Sequence, residues 1–401
     1  MKVVHLSTTL SGGAGQAAIR TVSALNSCGI DASLLSRTNS LGLISQRNPS
    51  KEKLLTAASS MITGAQRYLL QNSNELVTTV GIDLFKHSRE LSKILQSSDL
   101  IHLHASYNFF NLHELHRLIG EKPLAITLHD QRFLTGGCHY STFCDGFRSN
   151  CSNCPKVRKM ARGVVKENKK KITNVVSVLS KEKLRLICPS KWMQERVYET
   201  PSFMDLKNSV VHNCLPTSFF AKAKTKVREN HPRRIGIVAT QITNPYKGWE
   251  FFIEGICELK NQTTEELEIV VITHEKFSPR LIDSLKFDVV SAKTELELKL
   301  ILETIDVLCV PSKIDNSPNV VLEALARNVV VAASDSGGTG EIPQKLGLKT
   351  FRFGDVRNFV SVLSQCLANP RLTKSQSNHL ESLISETTHA TQLIKIYESI
   401  I

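Results

Sequence analysis

Asp315 and Glu323 bracket the start of an apolar helix pattern in the stretch VPSKIDNSPNVVLEALA, residues 310–326. A helix N-terminus presents amide N–H groups without intrahelical acceptors, together with the positive end of the helix dipole, so it favours an anion. Ser317 reads as the N-cap and Pro318 as the first helical residue. The amides of Asn319, Val320 and Val321 are then expected to form a phosphate seat. Lys247, in NPYKGWEFF, falls just before another helix pattern and can bring a compact, mobile charge to such a phosphate. Carboxylates beside a bare phosphate would repel it, but they accept hydrogen bonds from sugar hydroxyls. The pattern therefore describes a ligand that is part diphosphate and part sugar. A capped helix with unrelated acidic residues is the alternative.

Two further groups of residues carry chemistry. Gly12, Gly13 and Gly15 follow the first strand pattern and open a helix, where glycine lets a ligand come close to the backbone. Their spacing is not G-x-G-x-x-G, so they do not make a dinucleotide fingerprint, and a tight turn without a ligand is the other reading. Cys138, Cys144, Cys151 and Cys154 lie within 17 residues. The C-x-x-C pair at 151–154 suits one edge of a tetrahedral thiolate site, and the two upstream thiols can complete it, with His139 as a substitute ligand. Zinc is the expected metal; free thiols and an iron–sulfur site are the alternatives. Four cysteines leave no open coordination position, so such a site would be structural.

The elements that must position these residues are short apolar runs alternating with helical patterns. Strand patterns fall at 2–6, 32–36, 100–105, 123–129, 184–190 and 209–213, then at 233–240, 267–274, 287–291, 305–312 and 329–334. Most are near-continuous Val, Ile and Leu, as parallel strands buried on both faces require. Helical patterns lie at 14–27, 178–184 running into 191–199, 249–260, 294–304 and 317–327. The alternation predicts an α/β chain with doubly wound sheets. The polar, proline-bounded segment 214–234 reads as the hinge.

With 401 residues the chain can build two cores of ordinary size. Lys plus Arg total 50 against 37 Asp plus Glu, a net charge of +13, which favours an anionic partner. Much of that excess lies in KVRKMARGVVKENKKK, residues 156–171, a basic helix suited to an anionic membrane surface or simply to solvent. No interleaved aromatics or nucleic-acid motif accompany it, so no nucleic-acid partner is expected. Without a signal-peptide pattern or an apolar run of membrane-spanning length, the protein is expected to be cytoplasmic, with reduced cysteines.

The stretch PSKIDNSPNVVLEALARNVVVAASDSGG resembles the donor motif of retaining GT-B glycosyltransferases of the family 4 type, with two acidic residues separated by seven others. SGGAG, TLHD (127–130), CPSKW (188–192), VVHNCLP (210–216), YKGW (246–249) and SGGTGE (336–341) extend the resemblance along the chain. TLHDQRFLTGGCHYSTFCDGFRSNCSNCP resembles a branch involved in bacterial surface polysaccharide assembly. The resemblance implies two Rossmann-like domains facing a cleft: residues 1–215 on the acceptor side, 216–380 for the donor, and a terminal helix at 381–401 returning to the first domain. It implies a UDP- or GDP-sugar donor, a glycan or lipid-linked acceptor, retention of configuration and no catalytic metal. Glu323 would bind ribose hydroxyls, Asp315 would face the transferred sugar, and Lys247 would neutralise the diphosphate with the amides near Asn319 and Val320. Gly12 and Gly13 would close on the ligands, and His129 would stand near the reacting sugar with Asp130 beside it. Three positions depart from the family pattern. Asp315 stands where Glu is usual, the arginine that commonly precedes the Lys-Gly pair is missing, and Asn328 replaces a glycine turn. The first two motivate a rival from another class, a non-catalytic glycan or nucleotide-sugar binding protein on the same fold.

Overall fold

A computed structural model describes residues 1–36, 89–105, 112–220, 232–279 and 285–401; residues 221–231 of the expected hinge lie outside this set. The chain divides into two compact units. Unit 1 comprises Met1–Asn213 with His389–Ile401, and unit 2 comprises Cys214–Thr388. The sequence placed these divisions at 215/216 and 380/381.

Unit 1 holds β1 (Lys2–Ser7), β2 (Asp31–Ser36), β3 (Leu100–Leu103), β4 (Leu124–Thr127), β5 (Leu184–Cys188) and β6 (Asn208–Val210). They form one sheet in the order β2-β1-β3-β4-β5-β6, with every pairing parallel. Its helices include α1 (Gly12–Ser27), α2 (Arg89–Gln96), α3 (Leu112–Ile119), α4 (Arg162–Val178) and α5 (Lys191–Tyr198). Val4, Leu6, Ile101, Leu103, Ile126 and Leu186 project from the strands into a common apolar cluster. Complete burial of each such side chain contributes roughly 1.5–3 kcal/mol. Of the helical pattern expected to run from 178–184 into 191–199, the second part forms as α5 and the first does not. Residues 179–183 are a break between α4 and β5, because the buried run that starts at Leu184 is needed in the sheet.

Unit 2 holds β7 (Arg233–Val238), β8 (Leu267–Ile272), β9 (Lys286–Val290), β10 (Val307–Val310) and β11 (Val330–Ala333), again all parallel, in the order β11-β10-β7-β8-β9. Around this sheet are α6 (Trp249–Gln262), α7 (Glu295–Leu302), α8 (Asn319–Ala326), α9 (Val356–Ala368) and α10 (Lys374–Ile384). The packing is close: a Cβ at Gly255 of α6 would lie 2.0 Å from the Phe359 ring of α9. Asn328 adopts φ 60°, the left-handed turn conformation that its short polar side chain tolerates, and its Oδ1 accepts from the Leu372 amide at 2.9 Å.

Both sheets reverse direction in the chain. In unit 1 the strand order turns between β1 and β3; in unit 2 it turns between β7 and β10. The loops leaving the carboxyl ends of such strand pairs diverge and open a crevice, which is where open α/β sheets bind ligands.

Candidate functional site

In unit 2 the two loops at the reversal carry the sequence-identified residues. Lys247 ends a single 3-10 turn, Pro245–Lys247, started by Asn244, whose Oδ1 accepts from the Tyr246 amide at 3.0 Å. Gly248 then adopts φ 73°, and a Cβ there would sit 1.9 Å from the Pro311 carbonyl oxygen. Only glycine permits this approach, which brings the loop after β7 against the loop after β10. The Lys313 amide donates to the Tyr246 carbonyl at 2.8 Å and joins the two loops.

These constraints bring Lys247 Nζ to 2.8 Å from Asp315 Oδ2, two groups 68 positions apart in sequence. Asp315 Oδ1 accepts from the Asn316 amide at 2.8 Å, and Asn316 is buried. Behind Asp315 the SGG turn closes tightly. Gly337 has φ 67°, a Cβ on it would lie 2.1 Å from the Asp315 carbonyl oxygen, and Gly338 donates to that same oxygen at 2.9 Å. Gly337 and Gly338 therefore position Asp315. In the sequence they stood only as part of a matching motif.

Helix α8 starts one residue later than expected. Pro318, with φ −68° and ψ 119°, occupies the cap position instead of Ser317, and it supplies no side-chain cap. The Val321 amide donates to the Pro318 carbonyl at 3.1 Å, which takes Val321 out of the expected seat of three amides. Proline's fixed φ, with an extended ψ, makes it a workable boundary residue and displaces serine from the cap. Glu323 is buried in the second turn of α8, flanked by the core residues Leu322 and Ala324.

In unit 1, Gly12 and Gly13 open α1. Gly12 has φ 75°, and nothing lies within 4 Å of a Cβ built on either residue. Gly15 serves packing instead, since a Cβ there would be 2.5 Å from the Leu10 carbonyl carbon and would keep the loop from folding onto the helix. Ser11, at the N-cap, makes no side-chain cap bond.

His129 belongs to a chain of imidazoles that sequence reasoning missed. His5 Nδ1 lies 2.9 Å from His104 Nε2, and His104 Nδ1 lies 3.0 Å from His129 Nε2. His102 bridges Tyr397 Oη at 2.6 Å and Thr127 Oγ1 at 2.7 Å, and its ring stacks 4.2 Å from that of His104. His389 meets the Thr21 hydroxyl at 3.0 Å and donates from Nδ1 to the His212 carbonyl at 2.8 Å. The signal was present as a histidine in each of KVVHL, LIHLHA and TLHD, three strands that the topology makes neighbours. Burial lowers the pKa of His5 to about 3 and that of His129 to about 4; for His129 the loss of hydration outweighs the attraction of Asp130. The rings are thus neutral at pH 7, and each carries one proton. His5 Nε2 is buried and has no partner. A bare lone pair there is less costly than a stranded N–H, so His5 carries its proton on Nδ1 and donates to His104. His104 then donates from Nδ1 to His129 Nε2, which places the proton of His129 on Nδ1.

Asp130 is committed to structure. Its Oδ1 accepts from the Arg132 amide at 2.9 Å, Arg132 Nη2 lies 2.7 Å from Oδ2, and His139 Nδ1 lies 3.3 Å from Oδ2. Burial alone would raise its pKa, but Arg132 and His139 prevail and hold it well below the usual carboxylate range. A carboxylate that cannot protonate near neutrality is a poor general base, so Asp130 fixes the turn after β4 instead.

The four cysteines line one small cavity with Phe147 and Val165. All are free thiols. Among the described residues, the ligand atoms that close to within 4.8 Å of one another are those of His5, His102 and His104, not the cysteines. His139 faces Asp130, so it is not the substitute ligand envisaged from the sequence. In the basic segment, Lys156 and Lys169 are buried, donating to the carbonyls of Tyr140 at 2.7 Å and Leu134 at 2.8 Å. Arg158, Lys159, Lys166, Lys170 and Lys171 are exposed.

Residues 232–369 match a family model described as glycosyl transferases group 1. The chain is 24% identical over 301 residues to an Escherichia coli K12 protein named as a colanic acid biosynthesis glycosyl transferase, WcaC, covering 70% of this chain and 71% of that protein. Among solved structures it resembles sucrose-phosphate synthase from Thermosynechococcus elongatus (TM-score 0.61, 13% identity, 100% of this chain and 98% of that one). A glycosyltransferase from Rickettsia africae is equally similar (TM-score 0.61, 11% identity, 100% and 98%). An E. coli trehalose-6-phosphate structure bound with UDP-2-fluoro glucose follows (TM-score 0.59, 12% identity, 100% of both chains). Two parallel α/β units of the GT-B fold, the second matching the group 1 model, make this chain a transferase of the glycosyltransferase class.

Proposed function

We propose that the protein moves a sugar with retention of configuration, as family 4 enzymes do, from a UDP- or GDP-sugar to a glycan or lipid-linked acceptor in surface polysaccharide assembly. The meeting of Lys247 and Asp315 at the strand reversal of unit 2 carries this reading. A donor would exchange that ion pair for two better-matched contacts: Lys247 with the diphosphate, Asp315 with hydroxyls of the transferred sugar. Ser317 lies in the loop between Asp315 and α8, the Asn319 and Val320 amides add to the phosphate seat, and Glu323 takes the ribose. In the transfer, the bond from the anomeric carbon to the diphosphate oxygen breaks and the acceptor oxygen bonds that carbon on the same face. The acceptor proton passes to the departing diphosphate. Lys247 and the helix amides stabilise the charge that develops there, so no metal is required. Gly12 and Gly13, with room for a ligand, let their loop close on donor and acceptor, and His129 stands near the reacting sugar at the strand end that Asp130 holds.

The WcaC relative supports a role in polysaccharide assembly. Among the described residues no helix is long and apolar enough to cross a membrane. The exposed cations at 158–171, with Met160 exposed beside them, suit peripheral attachment to an anionic inner membrane face from the cytoplasm. Incubation with a panel of UDP- and GDP-sugars and lipid-linked acceptors should give product whose anomeric configuration by NMR matches the donor, with chelator present. Donor binding without turnover on every acceptor would favour the non-catalytic rival, and inversion would refute retention.

A further inference from the structure

We infer that Cys138, Cys144, Cys151 and Cys154 hold one zinc ion that orders the loop following β4. Four separate positions of a 17-residue stretch line one cavity, with no disulfide between any of them. The backbone is shaped to bring them there. Cys151 adopts φ 57°, a left-handed conformation that a cysteine does not take without a reason. Gly146 lies between two of the sulfurs: its amide donates to Cys144 Sγ at 3.3 Å, and a Cβ on it would be 3.2 Å from that sulfur and 3.7 Å from Cys151 Sγ. Gly136 allows the loop to meet α4, since a Cβ there would be 2.3 Å from the Val165 carbonyl oxygen.

Charge supplies a second, independent reason. A zinc ion with four thiolates carries a net charge of −2, because four negative sulfurs outweigh the metal. Lys156 and Lys169 are both buried against this loop, and a buried ammonium such as that of Lys169 is costly without a nearby anion. Lys169 has the Leu134 carbonyl and the Phe203 ring, at 5.5 Å, as its contacts, and no carboxylate among the described residues. Two buried ammonium groups offset a tetrathiolate zinc centre. The local apolar cluster is small: Cys151, Cys154, Val157, Ala161 and Val165. No three of these sulfurs lie within 4.8 Å of one another, so holding one ion requires the cysteine side chains to rotate toward the cavity centre. The closure reaches the strand end, because His139 contacts Asp130 and its carbonyl accepts from the Gln131 amide at 2.9 Å.

Elemental analysis of the full-length protein, purified without chelator, tests this directly. The expected result is about one zinc per chain. Replacement by cobalt should give the visible bands of a tetrahedral thiolate site. The pair Cys151→Ser with Cys154→Ser should lose the metal, while Cys28→Ser, at an exposed thiol outside the loop, should keep it. The wild-type metal content and cobalt spectrum decide the matter even if the double variant fails to fold. Protein without zinc whose four loop thiols all react with a thiol reagent in the native state would overturn the inference, and so would an iron–sulfur absorption spectrum.

Discussion

The two sheets share a parallel, doubly wound plan but differ in what they bury. In unit 2 the central strands bury Ile235, Ile237, Val270, Val271, Val307, Leu308, Val330 and Val331, with no histidine among the described buried residues. In unit 1 the matching positions include His5, His102, His104 and Thr127. A dry sheet is held by burial and tolerates an incomplete polar network because it has little to satisfy. A histidine-lined sheet holds only while every ring is neutral and bonded. Unit 2 therefore keeps its polarity at the loops, where Lys247 and Asp315 can change partners without disturbing the core. Unit 1 runs its polarity from the interior to His129 at the strand end.

The largest effect that would break this comparison is acidification. His5, His129 and His389 have folded pKa values of about 3, 4 and 4, below the ordinary 6.5. The unfolded chain thus binds more protons, and their contribution is complete above pH 6.5 and lost as pH falls toward 4. Each pH unit in that window costs about 1.4 kcal/mol per histidine. The chain has two tryptophans, Trp192 in unit 1 and Trp249 in unit 2, so single-tryptophan variants report each unit's urea midpoint. The Trp192 signal should lose several kcal/mol between pH 6.5 and 4.5, by this per-unit figure, and the Trp249 signal much less. Parallel losses in both would end the contrast.

A smaller effect separates site from core in unit 2. Lys247→Ala should lower transfer at least about tenfold, since a hydrogen bond to a charged group is worth roughly 1.5–3 kcal/mol. Lys247 is a third exposed, so its ion pair contributes little to folding, and the Trp249 midpoint should stay within about 0.5 kcal/mol of wild type. Unchanged kcat/KM would remove Lys247 from the donor seat. A collapsed midpoint would show that site and core are not separable.

How much of this was legible in the sequence also differs between the units. All eleven strand patterns appear as strands, because continuous Val, Ile and Leu in parallel strands is a strong local signal. The Lys247–Asp315 meeting was legible only as two motifs; the contact depends on Gly248 and Gly337, whose close approaches are tertiary facts. Ser317 was misread as the cap because propensity favours serine, whereas Pro318 sets the boundary. The histidine chain was illegible because its rings are spread over separate strands. A single histidine in an apolar run says nothing until the strand order makes β1, β3 and β4 neighbours.

A third test probes the network itself. Tyr397→Phe removes the hydroxyl that meets His102 at 2.6 Å and leaves His102 Nδ1 buried without that partner. The cost should be about 1–2 kcal/mol in the Trp192 signal, the usual penalty for a stranded buried polar group. The Trp249 signal should not move. A neutral outcome would mean that the ring reorganises freely and that the interior of unit 1 is less constrained than its geometry indicates.

The smallest expected effect lies at Asn328, where unit 2 uses one polar side chain to end α8. Its φ of 60° is a conformation glycine adopts without steric cost, so Asn328→Gly relieves some backbone strain. The same change removes the Oδ1 that accepts from the Leu372 amide, a bond worth about 0.5–1.5 kcal/mol, and adds freedom to the unfolded chain. These terms oppose one another, so the glycine variant should stay within about 1 kcal/mol of wild type in the Trp249 urea midpoint. Asn328→Ala loses the bond and keeps the strain, and it should fall below the glycine variant by roughly 1 kcal/mol, the cost of a left-handed β-carbon. Equal midpoints for alanine and glycine would mean that the turn, not the side chain, accommodates the change. A large loss in both variants would mean that the Asn328–Leu372 bond makes this apolar unit depend on a polar contact, as unit 1 does.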